Sequence, residues 1–157
     1  MKMKKLIAAL FFALMFVAVG SVYADVLDDN PQRYHAQGTN SDGNESFIDK
    51  TTIRHNDGNL TTYTGILRLS NRSDLFSKAR TLVTSSQIPL YVLSVITVDC
   101  EGARLKTGKI AIVGVDTTDD EQTVKVLWAD ATMSTDWSVI PNGIESRAKA
   151  LLCGPSF

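Results

Sequence analysis

Residues 91–100, "YVLSVITVDC", are the stretch on which the fold turns. β-Branched and aromatic residues fill it, and apolar side chains stand on both parities. It therefore reads as a central strand covered on both faces. The strand ends at Cys100, between Asp99 and Glu101, with Arg104 and Lys106 just downstream. A thiol activated for chemistry needs a cation, a histidine or a helix N-terminus beside it, whereas flanking carboxylates raise its pKa and dull it. The chain has a second cysteine, Cys153. An even pair in an exported chain is read as a disulfide, and closing a loop of roughly 50 residues would stabilise by about 4 kcal/mol.

Working outward, "EGA" is a tight turn into "RLKTGKIAIVGVD", a long strand that starts polar and becomes apolar. "TTDDEQ" turns the chain again, and "TVKVLWA" is the next strand, with Val124, Val126 and Trp128 on one face. In "NGIESRAKALLC", Ile144, Ala148, Leu151 and Leu152 recur at helical spacing opposite Glu145, Arg147 and Lys149. Asn142 and Glu145 resemble a capping box, and Gly154-Pro155 stops the helix. Upstream, "SFID" and "TTIR" carry a strand signal, "HNDGN" is a hairpin turn, and "LTTYTGILRL" is a strand. Residues 73–82 read as a short helix or an irregular excursion. The fold class expected is α+β: a meandering antiparallel β-sheet of about five to six strands. A C-terminal amphipathic helix packs on one face, tied down by Cys100–Cys153.

The N-terminus, "MKMKKLIAALFFALMFVAVGSVYADV", has lysines at 2, 4 and 5, an uncharged apolar run to about Gly20, and small side chains at Val22 and Ala24. This is the pattern of a bacterial-type secretory signal over 1–24, cleaved before Asp25. The run is too short for a spanning helix, and no later segment is long and charge-free enough to be one. The expectation is an exported, soluble protein of the periplasm, cell surface or medium, with a single domain over 25–157 and a loose acidic leader over 25–32. Three of the 16 basic residues leave with the signal, so 13 face 17 acidic ones, a net charge of −4. That balance argues against bulk electrostatic binding of nucleic acid.

The order of "FIDKTTI", "DGN", "VITVDC" and "DWSVIPNGIESRAKALLC" resembles the surface-adhesin protein E family of bacterial exported domains, over about Arg33 to Cys153. Family members often open on a Trp strand where this chain has Tyr34, and the lipoprotein cysteine of some members is absent. The resemblance implies a small envelope or surface protein, in some members an adhesin for host extracellular-matrix proteins, and supplies no catalytic residues.

The search for chemistry returns little. His35 and His55 are the only histidines and read as solvated surface residues, without metal-ligand spacing. Asp116, Asp119, Asp120 and Glu121 gather carboxylates but lack the spacing and central glycine of a calcium loop, so they read as a solvated acidic turn. There is no nucleophile elbow and no glycine-rich phosphate loop. Asn44, Asn59 and Asn71 open glycosylation triplets that matter only in a eukaryotic secretory pathway. Trp128 reads as core and Trp137 as a plug in the helix–sheet seam. Arg104 and Lys106 share one strand face and Lys109 falls on the other, so solvated edge charge outweighs a partner-binding strip. The expectation is a binding protein with protein partners and no catalytic residues, metal or cofactor. Its ligand-binding residues are not identified by sequence. The alternative is a periplasmic accessory or inhibitor module of the envelope.

Overall fold

A computed structural model of the 157-residue chain describes Leu27 and residues 30–132, 134–139 and 146–154, with only the backbone at 146 and 147. The signal segment 1–24, Asn142, Ile144 and Glu145 lie outside the described residues. Seven strands and two helices follow in order: β1 (Tyr34–Thr39), β2 (Glu45–Asn56), β3 (Leu60–Arg68), α1 (Asp74–Leu82), β4 (Gln87–Asp99), β5 (Arg104–Asp116), β6 (Lys125–Asp130), β7 (Ser138–Val139) and α2 (Ser146–Cys153). The sheet runs β1-β2-β3-β4-β5-β6, antiparallel throughout, and β7 pairs with Arg104 and Leu105 of β5. This is the meander expected from the sequence, with α2 against one face.

Local chemistry explains the corners. Between β2 and β3 the chain turns through Gly58 and Asn59, both at positive φ, a conformation that glycine and asparagine adopt at least cost. The 73–82 segment is a true helix. Ser73 caps α1 by accepting a hydrogen bond from the Phe76 N–H (3.1 Å), and Arg80 in the last turn donates to the Gln87 carbonyl. At Gly114 a Cβ would stand 2.0 Å from the Ile88 carbonyl oxygen, so only glycine lets β4 and β5 approach there.

Two cores lie on opposite faces of the sheet. On the first, Tyr34, Phe47, Ile66, Tyr91, Leu93, Ala111 and Val113 pack together with Leu27. On the second, α2 sets Ala148 and Leu152 on Ile48, Tyr63 and Val98. The apolar pattern of β4 follows from this: Tyr91 and Leu93 serve the first core, while Ile96 and Val98 serve the second. Each face is covered along a different half of the strand. Burial in the second core raises the Tyr63 phenol to about 12.

The leader is not loose where it is described. Leu27 is 3 % exposed inside the first core. The Asn30 carbonyl accepts from the Arg33 and Tyr34 N–H groups, and Lys50 donates to the Pro31 carbonyl. Apolar burial of one leucine overrides the acidic character of its neighbours.

One ion pair is built into the sheet. Asp49 of β2 is fully buried, and both its oxygens face Arg33, with Nη2–Oδ2 at 2.9 Å and Nε–Oδ1 at 3.3 Å. The Thr51 N–H and hydroxyl donate to Oδ1 as well. Burial alone would raise this carboxyl, but the Arg33 and Thr51 hydrogen bonds outweigh it and hold the pKa below its ordinary value. Beyond Asp49 the β2–β3 register slips, from Asp49↔Thr64 to Arg54↔Thr62. Thr52 fills the gap, its hydroxyl accepting from the Thr64 N–H and donating to the Asp49 carbonyl.

Replacing Asp49 by Asn should cost about 2–3 kcal/mol in urea unfolding at neutral pH, since it removes a buried charge that accepts hydrogen bonds from Arg33 and Thr51. Because the folded carboxyl is held low, its contribution is complete above the unfolded pKa of about 4 and drains away as pH falls toward the folded value. The Asp49→Asn protein should therefore lose less stability than the parent between about pH 5 and 2. Equal acid losses in the two proteins would refute the assignment.

Candidate functional site

The two cysteines meet. Cys100, at the turn after β4, and Cys153, the last residue of α2, form a disulfide with a Cα–Cα distance of 5.7 Å across 53 residues, and the described residues contain no free cysteine. The surrounding chemistry is that of a clamp. The Thr61 hydroxyl donates to the Leu152 carbonyl (2.8 Å), and the Gly154 N–H, at a φ of +76°, donates to the Ala150 carbonyl (3.0 Å). Both satisfy carbonyls that a helix end leaves open.

His55, Asn56, Asn59, Leu60 and Thr61 line a cavity of about 120 Å³ beside the two cysteines. That suits a few waters rather than a substrate-sized ligand, for which about 300 Å³ is a usual minimum. Thr61 spends its only proton on Leu152, so it must accept from His55, whose Nδ1 lies 3.1 Å away. His55 therefore carries a proton on Nδ1. It is exposed, as expected. His35 is not fully solvated: its register partner is Ile48 of the helix-covered core, and its Nε2 is buried.

The acidic turn binds itself. The Thr118 hydroxyl and N–H hold Asp116 at about 2. Lys125 pairs with Asp119 and lies 4.0 Å from Asp116. Among the described residues no three histidine, cysteine or carboxylate side chains converge as a metal site. Asn44 is 1 % exposed and accepts from the Ser70 N–H, tying the β1–β2 turn to the segment before α1.

The most organised polar surface is on the first face, beyond its core. Ile66 and Thr62 are four residues apart on β3, so the face that is apolar at Ile66 continues through Thr64 and Thr62. There the register aligns two rows across the sheet. One is Arg54–Thr62–Thr97–Lys106; the other is Asn56–Leu60–Asp99–Arg104–Val139. Asn56 donates to the Thr62 hydroxyl (3.0 Å), which stands 3.5 Å from that of Thr97. Asp99 accepts from the Gly102 N–H (2.9 Å) and from Arg104 Nε (2.8 Å), which together keep its carboxyl below the usual range. A Cβ at Gly102 would lie 2.6 Å from Asp99 Oδ2, so a larger residue there would push the Asp99 carboxylate out of place, while Ala103 adopts the positive φ of 49°.

Trp137 roofs these rows. Its ring centroid is 4.8 Å from the Arg104 guanidinium carbon and 4.9 Å from Lys106 Nζ. It thus stands on the face opposite α2, not in the helix–sheet seam, because the β7 pairing Arg104↔Val139 carries this segment along the outer edge of β5. Trp128 also departs from expectation. A bulge places Val126 opposite Val113 but Trp128 opposite Ile112, so Val124 and Val126 join the first core without it. A second bulge, between Ser94↔Ile110 and Ile96↔Thr107, leaves Gly108 and Lys109 together opposite Val95. Simple alternation therefore does not separate Lys109 from Arg104 and Lys106.

A double-mutant cycle over Arg104→Ala and Trp137→Leu should give a coupling of about 0.5–1 kcal/mol in urea unfolding. Strict additivity would mean that the ring and the cation do not interact in solution. No family model, curated protein or solved structure matches this chain.

Proposed function

We propose that the chain is an exported bacterial binding protein that contacts other proteins through the sheet face carrying Arg54, Thr62, Arg104, Lys106 and Trp137. The observation that carries this reading is the register itself, which places cations, hydroxyls and an aromatic ring side by side on a surface that no described helix covers. Aromatic and arginine side chains are the residues over-represented at binding hot spots.

Export is supported by the signal pattern of residues 1–24 and by the disulfide, a bond that persists in oxidising compartments. No described helix is long and apolar enough to cross a membrane. The resemblance to the surface-adhesin protein E family supports host matrix proteins as partners.

Surface plasmon resonance of the purified protein against laminin, vitronectin and plasminogen should show saturable binding at micromolar concentration, weakened by Trp137→Ala. Absence of binding to all three would remove the adhesive role. Protease treatment of intact cells should degrade the protein. Survival until the outer membrane is opened would place it in the periplasm, as an accessory or inhibitor module.

A further inference from the structure

The basic face selects its partner by charge. The chain as a whole is acidic or near neutral, yet this face gathers Arg54, Arg104 and Lys106, with Lys109 in the neighbouring bulge. Its one aligned carboxylate, Asp99, is already committed to Arg104 and to the Gly102 N–H. Half of the Arg104 side chain is exposed, and among the described residues no carboxylate forms an ion pair with Lys106. A local cation cluster on an otherwise acidic molecule steers an anionic partner to one place.

An apolar element adjoins the charges. Val139 shares a row with Arg104 and is 82 % exposed, the most exposed of the large apolar side chains described. Trp137 immediately precedes β7, two residues from Val139, and lies over both cations. A sulfated glycan would use the cations and the hydroxyls but has no need of an exposed aliphatic side chain. A polypeptide that alternates carboxylates with apolar residues uses all three. The exposed Asn56 amide, which donates to the half-buried Thr62 hydroxyl between the cations, can bond its backbone.

We infer that this face is a docking surface for an acidic-hydrophobic peptide segment of a partner protein, with carboxylates on Arg104, Lys106 and Arg54 and an apolar side chain against Val139 and Trp137. The inference rests on the reading of this face as the binding surface and names the chemistry of what it binds.

The test uses the secreted protein as isolated and a fluorescently labelled 15-residue peptide alternating Asp or Glu with Leu and Phe, read by polarisation. Binding should be saturable, should weaken at least about tenfold between 50 and 500 mM salt, and should be absent for the same peptide with lysines in place of the acids. Lys106→Gln and Val139→Asp, made separately, should each weaken it about tenfold or more, while Lys78→Gln on exposed α1 should not; thermal melting confirms that each variant is folded. In a Trp128→Phe background the emission of Trp137 should respond to the peptide. No binding, binding unchanged in both variants, or displacement of the peptide by a short heparin fragment at lower concentration would each overturn the inference. Peptide binding without binding to matrix proteins would sustain the docking surface and remove the adhesive role. Matrix binding unaffected by Lys106→Gln and Val139→Asp would do the reverse.

Discussion

The second core depends on holding an eight-residue helix against a sheet. A helix that short has no stability of its own in water, because the cost of nucleation is spread over too few hydrogen bonds. Three contacts hold α2 down at its C-terminal end: the bond from Cys153 to Cys100, the Thr61 hydroxyl on the Leu152 carbonyl, and the Gly154 turn. They act where the helix would otherwise fray, and they keep Ala148 and Leu152 over Ile48, Tyr63 and Val98. Without α2 that apolar patch would face water. Cys100 therefore serves as an anchor, buried and flanked by carboxylates, where a reactive sulfur would want a cation and an open approach.

With α2 pinned to one face, no described helix covers the distal part of the other. The first core uses Ile66, Leu93 and Ala111, and the same alternation then runs on into Thr62, Thr97 and Lys106. A single sheet face thus passes from apolar to polar along its strands. The apolar part packs against Leu27, and the polar part is roofed by Trp137. The two edge strands, β1 and β6, both carry bulges, at Ala36–Gly38 and at Val126–Trp128. Bulged edges are poor templates for adding a further strand.

Alternation along a strand was a sound guide only as far as the first bulge. It places β4 centrally, while turn chemistry at Asp57-Gly58 marks the β2–β3 hairpin and helical spacing marks Ala148, Leu151 and Leu152 as the sheet-facing side of α2. It failed for Trp128 and Lys109, each of which sits at or beyond an extra residue that reverses parity. A bulge arises from two strands that must match at both ends of a mismatch, so neither strand alone reveals it. Asp49 was missed for a related reason. Its sequence setting, "FIDKTT", resembles any strand with one acid, and only the placement of Arg33, in the turn before β1, shows that the acid is buried and paired.

The sequence by itself determined the antiparallel meander, the terminal helix and the pairing of the two cysteines, because hydrophobic period, turn residues and cysteine parity are local or countable properties. Only the tertiary structure decided which face each aromatic and cation occupies, that Leu27 belongs to a core, and that Arg54, Thr62, Thr97, Lys106 and Trp137 share one sheet face. Those facts depend on cross-strand register, and register is set by the simultaneous fit of residues as far apart as Arg54 and Lys106. A period-2 reading of any one strand contains no information about its neighbour's phase.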